Sequence, residues 1–226
     1  MELSNYTMNA LKNYATINSN VVIHQGNSIM TMAEAKNVLS MTTIPETFPQ
    51  MFGIYDLQEM LNVLSLVDSP RLRFEENYVL IGDSTGRVEI KYFFSDPEML
   101  TSPTKPIDMP NPDVVFTLDQ GTLNNLKRAA AALGHNEVSI TSVDNVIRLS
   151  ILDTENSTSN MYSIDVDGDC SLSDCNFIIN ISNLKMIPGD YKVEISTKLI
   201  SQFTNTSDEM DLKYWVALEK SSTFKE

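Results

Sequence analysis

The chain has 226 residues, of which 42% are hydrophobic, and a formal net charge of −14 from 30 acidic and 16 basic side chains. Charged residues make up only 20% of it, which argues against long disordered stretches, and one large or two ordinary domains are expected at this length. The negative charge excludes a simple basic nucleic-acid binder, but not a protein that segregates its few cations onto one face.

The first half is predicted to contain two helices among short strands. The first helix covers residues 4–17, with Ser4 as its N-cap and an apolar stripe at helical spacing. The second helix covers about 55–67 and carries a similar stripe. Strands are predicted near 20–24, 28–31, 38–44, 48–53, 71–76, 78–82 and 87–94.

The second half is predicted to follow a similar order. A strand at 113–117 precedes a helix over 119–133, which Gly134 is suited to end. A short second helix over 182–187 is expected to stop at Pro188-Gly189, and residues 199–209 are expected to form a polar excursion. Strands are predicted near 137–142, 146–152, 160–167, 175–181, 190–197 and 211–218.

Two short sequence echoes indicate that the chain is a duplication. Residues 9–15 and 124–130 share Asn, Leu, Lys and Ala in register at an offset of 115 residues. Residues 54–60 and 181–186 repeat a weaker pattern in the same order. The predicted fold class is therefore α+β, with two similar domains that each pack two helices on antiparallel sheet.

A proline-rich segment separates the two halves. Residues 97–112 hold five of the nine prolines, and proline favours extended backbone both at its own position and at the residue before it. We therefore predict a first domain over 1–96, an extended connector over 97–112 and a second domain over 113–226.

The outer faces of the two repeated helices form a candidate basic surface. These faces carry amides together with Lys12 in the first helix and Lys127 and Arg128 in the second, with no acid in the middle turns. Lys185 and Lys192 flank the predicted short helix and are expected to extend the same surface. Such a face suits loose, partly water-mediated phosphate contacts, although an ordinary solvated face explains either helix taken alone.

No catalytic or cofactor motif is visible. The sequence lacks glycine-rich nucleotide cradles and a nucleophile elbow, and neither His24 nor His135 stands in a metal-binding pattern. In the acidic run 165–169 the glycine is fourth rather than sixth, so a solvated acidic turn is favoured over a calcium loop. We expect no enzyme activity, no metal and no cofactor.

Neither export nor membrane insertion is indicated. The N-terminus lacks a basic region followed by an apolar run, and no apolar stretch approaches the roughly 20 residues needed to cross a bilayer. Cys170 and Cys175, the only two cysteines, are expected to be unremarkable thiols, although their spacing permits a small bridged loop. These features predict a soluble intracellular protein.

Blocks along the whole chain resemble the sliding clamp, the DNA polymerase processivity factor of T-even-type bacteriophages. No single block is specific, but together they run in order from end to end and fit the length. The matching blocks are Leu3-Ser4, Leu11-Lys12-Asn13-Tyr14-Ala15-Thr16-Ile17-Asn18-Ser19, Ile54-Tyr55-Asp56-Leu57, Leu64-Ser65-Leu66-Val67, Lys105-Pro106-Ile107, Asn176-Phe177-Ile178-Ile179-Asn180, Lys185-Met186, Pro188-Gly189-Asp190-Tyr191-Lys192 and Val216-Ala217-Leu218-Glu219.

The resemblance implies a head-to-tail homotrimer that forms a six-domain ring around duplex DNA, with helices lining the hole and sheets outside. It also implies a partner DNA polymerase, loading by an ATP-hydrolysing clamp loader, and support of late transcription with late-transcription factors and host RNA polymerase. The expected location is the cytoplasm of the infected bacterial host.

Site residues follow from the resemblance by position. Lys12 and Arg128 fall where the family has cations facing the pore, with Lys127 adjacent, whereas Glu2, Asn5 and Ala131 replace basic positions. The pocket for partner peptides is expected at Ile107, Met109, Val216 and Leu218. Leu64 and Leu66 are weaker pocket candidates, for which core packing is favoured. Strands 87–94 and 160–167 are the expected open edges for head-to-tail assembly.

Two alternatives remain open from the sequence. The first is an acidic, β-rich protein-binding or virion structural module that has no DNA role. The second, with less support, is an enzyme whose catalytic residues are scattered along the chain.

Overall fold

A computed structural model describes residues 1–143, 146–156, 158–208 and 210–225. The chain divides into two compact units, Met1–Pro106 and Ile107–Glu226. The division falls within the proline-rich segment 97–112.

The first unit contains two α-helices and seven strands among its residues, all of which the structure describes. Strands β1 and β4 pair with each other, β2 pairs with β3, and β5, β6 and β7 form a three-stranded antiparallel sheet. Pro97–Met99 forms a 3-10 turn beside β4. The elements are α1 (Asn5–Ile17), β1 (Val21–Ile23), β2 (Gly26–Met32), β3 (Val38–Phe48), β4 (Phe52–Ile54), α2 (Leu57–Leu64), β5 (Arg71–Phe74), β6 (Tyr78–Gly82) and β7 (Glu89–Phe93).

Helix α1 is held at its start by a cap and along its length by the sheet beneath it. The hydroxyl of Ser4 accepts a hydrogen bond from the Thr7 N–H, as predicted for the N-cap. The apolar stripe packs against β2, β3 and α2, and Tyr14 at its centre is fully buried, with its hydroxyl donating to the Ile29 carbonyl at 3.2 Å. This packing fixes the opposite face of α1 toward solvent.

The second unit is built on two antiparallel sheets. One has the strand order β11-β10-β9-β13-β17, and the other contains β12-β8-β14-β15-β16. The elements are β8 (Val114–Leu118), α3 (Gln120–Leu133), β9 (Glu137–Val143), β10 (Val146–Leu152), β11 (Tyr162–Val166), β12 (Gly168–Cys170), β13 (Asp174–Asn180), β14 (Tyr191–Ser196), β15 (Ile200–Asn205), β16 (Leu212–Ala217) and β17 (Thr223–Lys225).

Helix α3 is capped at both ends. The Asp119 side chain accepts from the N–H and hydroxyl of Thr122, and the Asp190 carboxylate accepts from the Gln120 N–H. Gly134 ends the helix in the left-handed conformation, with φ +71°. Between these caps the buried face packs against β10 and β11.

The predicted α+β fold with helices on antiparallel sheets is confirmed, but local predictions differ from the structure in several places. Instead of a helix over 182–187, one 3-10 turn covers Ile181–Asn183, because the Asn180 side chain accepts from Ser182 and the backbone leaves helical geometry at Leu184. The second echo therefore falls at an α-helix in the first unit and at a 3-10 turn in the second. The polar excursion predicted over 199–209 is mostly strand β15, and Glu209 lies outside the described residues.

Candidate nucleic-acid interface

The solvent face of α1 carries one cation and no acid. Asn5, Asn9, Lys12 and Thr16 are exposed on this helix, opposite its buried stripe. Glu2, which precedes the helix, is bound to Arg71 of β5 at 2.8 Å. The carboxylate that precedes α1 is therefore paired with a residue 69 positions away. Nothing in the local sequence predicts this ion pair.

Helix α3 presents a similar face. Asn124, Arg128 and Ala131 are exposed, and the helix contains no Asp or Glu. Lys127 is half-buried, and this burial lowers the pKa of its ammonium below the ordinary value of 10.5. A half-buried lysine lays its aliphatic stem on the protein surface and directs its charged end outward.

The structure brings two predicted cations, Lys127 and Lys185, to one depression. This depression has a volume of about 460 Å³ and lies between the end of α3 and the 3-10 turn. Its lining residues are Lys127, Ala130, Ala131, Gly134, His135, Asn136, Ile181, Ser182, Leu184 and Lys185. None of these lining residues is an acid.

Lys192 is placed differently from the other candidates. It stands on β14, where the side chains of Tyr191 and Val193 point to the opposite, buried face. Its Nζ lies 2.8 Å from Glu194 Oε1, and it does not line the depression. Residues two apart on a strand share a face, so this pairing follows from the strand that was predicted at 190–197.

The four residues predicted for the partner-peptide pocket divide into two classes. Ile107 is 36% exposed and Met109 is partly exposed, whereas Val216 has no exposed surface and Leu218 is 6% exposed. Leu64 belongs to the core as expected, but Leu66 is 73% exposed because helix α2 ends at Leu64. The accessible apolar side chains among these candidates are therefore Ile107, Met109 and Leu66.

Both predicted edges are edge strands in the described part of the chain. Strand β7 pairs only with β6, and β11 pairs only with β10. The exposed face of β7 carries Lys91, whose Nζ lies 3.8 Å from the centre of the Tyr78 ring. The run through β11 exposes Asp165 and Asp167, whereas β7 exposes Glu89 as well as Lys91.

The run 165–169, predicted as a solvated acidic turn, is instead the passage from β11 to β12, with Asp167 between the two strands. Arg148 on β10 donates to both oxygens of Asp165, at 2.7 and 3.0 Å, and these bonds lower the pKa of Asp165. Within residues 1–143, 146–156, 158–208 and 210–225, no group of three or more His, Cys, Asp or Glu side chains is arranged to hold a metal ion.

No helix in the same ranges is long and apolar enough to span a bilayer.

Comparison with known proteins identifies matches along the whole chain. The profile described as "gp45 sliding clamp, C terminal" matches residues 115–220, and the profile described as "DNA polymerase processivity factor" matches residues 4–74. The chain is 33% identical to the sliding clamp of Enterobacteria phage T4, with 99% of each chain covered. It is 30% identical to the sliding clamp of Vibrio phage KVP40, with 97% of this chain and 99% of that protein covered.

Solved structures extend the similarity in fold. PCNA from Thermococcus kodakaraensis superimposes with a TM-score of 0.71 at 13% identity, with 95% of this chain and 96% of that chain covered. At this level of identity the match shows a shared fold alone.

Proposed function

The chain belongs to the sliding-clamp family of phage DNA polymerase processivity factors, and from this membership we propose that it closes into a head-to-tail homotrimer around duplex DNA. In this role it tethers the replicative DNA polymerase and performs no catalysis itself. One observation carries the proposal: the exposed faces of α1 and α3 contain no acid, although the whole chain has a net charge of −14.

A closed ring explains how an acidic protein can remain bound to DNA, which is a polyanion. A ring needs little local affinity to remain on DNA, because escape requires the ring to open or the DNA to end. Lys12, Lys127, Arg128 and Lys185 would then make shallow phosphate contacts that carry no base readout. Lys192 would contribute little, since its charge is neutralised by Glu194.

Ring closure is proposed to pair the open edge of β7 in one copy with the open edge of β11 in the next. The Phe94 N–H donates to the Asn77 carbonyl, so the residues of β7 that bond to β6 are Ile90 and Tyr92. The backbone N–H and C=O groups of Glu89, Lys91 and Phe93 therefore point to the open edge. Pairing these groups with a second strand satisfies them without rearrangement of either unit.

Partner proteins are proposed to dock on Ile107 and Met109. Apolar side chains exposed on an extended segment suit a short apolar peptide from a polymerase, from a clamp loader that hydrolyses ATP, or from late-transcription factors that act with host RNA polymerase. Val216 and Leu218 would support this surface from the core. These partners place the protein in the cytoplasm of the infected bacterial host.

A solution mass followed by a DNA-topology assay tests the proposal. We expect a mass of three times 25.3 kDa at micromolar concentration. After loading by the cognate loader and ATP, the protein should co-elute with nicked circular DNA and be lost when that DNA is linearised. A monomer that never associates with circular DNA would overturn the proposal and favour the acidic protein-binding module.

A further inference from the structure

The two cysteines of the chain meet across the two sheets of the second unit. Cys170 ends β12, which pairs with β8, and Cys175 lies in β13, which pairs with β9 and β17. The short connection between β12 and β13 brings their sulfur atoms to 3.8 Å, with both thiols free. The S–S bond of a disulfide is about 2.05 Å long, so the pair has to close by about 1.8 Å.

The two thiols differ in their access to solvent. Cys175 is 2% exposed, and burial, together with the neighbouring Cys170, raises its pKa to about 12. Cys170 is partly exposed, and its thiol donates to the Leu172 carbonyl at 3.7 Å. A reagent from solvent therefore reaches Cys170 first, while Cys175 is placed behind it as the resolving thiol.

We propose that Cys170 and Cys175 form a reversible modification site, which closes to an intramolecular disulfide with a low-molecular-weight disulfide such as oxidised glutathione as the oxidant. The Cys170 thiolate attacks one glutathione sulfur, which forms a mixed disulfide and releases one glutathione that takes up a proton. Cys175 then loses its proton and attacks the Cys170 sulfur, which releases the second glutathione. The two protein thiols lose two electrons and two protons, and the oxidant becomes two thiols.

The bond would join strands of different sheets. Cys170 belongs to the sheet that contains β8 and β14, and Cys175 belongs to the sheet that contains β9 and β10. A covalent bond between them restricts the unfolded chain and ties the segment between β12 and β13 to both sheets. Closure should therefore raise the Tm of the oxidised protein, and reduction should restore the original value.

Mass spectrometry of the full-length protein tests this site. The chain is incubated with oxidised glutathione at about pH 8, and the remaining thiols are then alkylated in denaturant, so that the buried Cys175 is also counted. We expect loss of both alkylatable thiols, a mass about 2 Da below that of the reduced chain, and reversal by dithiothreitol. A wild-type chain that keeps both thiols, stops with one bound glutathione or forms only dimers would overturn the proposal.

Two single variants separate the roles of the thiols. Cys175→Ala should stop at the mixed disulfide on Cys170, and Cys170→Ser should leave Cys175 unmodified, because that thiol is buried. Alanine at 175 retains an apolar side chain at the buried position, so the fold is expected to survive. Equal modification of Cys175 in the presence and absence of Cys170 would contradict the proposed order of attack.

Discussion

The carboxylate of Glu46, near the end of β3, accepts a hydrogen bond from the hydroxyl of Thr7 in the first turn of α1. It also accepts one from the backbone N–H of Ser4, the N-cap residue. A negative group at a helix N-terminus is favoured by the helix dipole and satisfies N–H groups that the helix itself leaves unpaired. Glu46 therefore fixes the start of the helix that carries Lys12.

Replacement of Glu46 by Gln should destabilise the protein in a pH-dependent way. Burial alone would raise the pKa of this carboxyl, but hydrogen bonds from Thr7 and Ser4 hold it below the ordinary value of 4.5. Such a group stabilises the fold fully above pH 4.5, and its contribution is lost as pH falls through the folded pKa. We expect a loss of about 1 kcal/mol at pH 7 from urea unfolding.

The same measurement below the folded pKa provides the sharper comparison. There the wild type and Glu46→Gln should unfold at similar urea concentrations, because both carry a neutral side chain at position 46. Glu34→Gln is the matched control, since Glu34 is exposed in the turn after β2, and it should match the wild type at both pH values. A Glu46→Gln deficit that is independent of pH would contradict the role of the charge.

Charge reversal on the helices should impair DNA tethering without preventing assembly. Lys12→Glu combined with Lys127→Glu and Arg128→Glu places acids on faces that contain none, and these acids repel phosphates. We expect roughly a tenfold decrease in the length of DNA synthesised per polymerase binding event, measured with a trap that prevents rebinding. Sedimentation should show an unchanged assembly state.

A triple variant with the same change in net charge controls for nonspecific repulsion. Lys36→Glu, Lys198→Glu and Lys220→Glu alter exposed cations outside the three helices. This control should support nearly normal processivity. Equal losses in the two triple variants would mean that overall charge matters, rather than the faces of α1 and α3.

Lys91→Pro should open the ring and leave the folded chain intact. The Lys91 N–H points away from β6, so proline at this position removes a donor only from the open edge. We expect a mass of one 25.3 kDa chain in place of three, with the circular dichroism spectrum of the folded subunit retained. Lys91→Thr removes the same charge and retains the N–H, so a monomeric Lys91→Thr would show that the lysine charge holds the ring.

Helical periodicity predicted the exposure of the candidate residues well, whereas strand patterns predicted it poorly. A stripe with a period of 3.6 residues defines both faces of a helix, so the exposure of Lys12 and Arg128 could be predicted from α1 and α3. Strand β16 buries Tyr214, Trp215 and Val216 in succession, so both of its faces are covered. Without alternation, the sequence does not assign Val216 to one face of the strand, although a continuous apolar run is consistent with burial on both faces.

The wrong prediction over 199–209 also concerns a strand whose side chains do not follow the usual pattern. The segment that forms β15 was predicted as a polar excursion because it is rich in Ser, Gln, Thr and Asn. In the structure its polar side chains are satisfied inside the sheet, as where the buried Ser201 hydroxyl donates to the Val216 carbonyl at 2.8 Å. Composition cannot reveal this partner, because it lies 15 residues away and is chosen by strand register.

Ile107→Asp should weaken polymerase binding more than ring closure. A carboxylate on this exposed apolar position would have to lose its hydration when a partner peptide covers it, which predicts at least about a tenfold loss of affinity by calorimetry. Met51→Asp adds the same charge at an exposed methionine of the first unit and should bind normally. Loss of the trimer with polymerase affinity retained would place Ile107 at a subunit interface instead.

Gly168→Ala should destabilise the second unit through a steric clash at the point where the chain passes from β11 to β12. A Cβ at this position would lie 2.5 Å from the Val115 carbonyl oxygen and 2.6 Å from Phe116 Cβ, where backbone and core leave no room for adjustment. We expect the free energy of unfolding to fall by about 1–3 kcal/mol, as for other overpacked sites. Gly134→Ala provides the comparison, since its Cβ meets nothing within 4 Å and only the positive φ of +71° opposes it. That strain amounts to about 1 kcal/mol, so a Gly168→Ala variant no less stable than Gly134→Ala would contradict the close packing of β12 on β8.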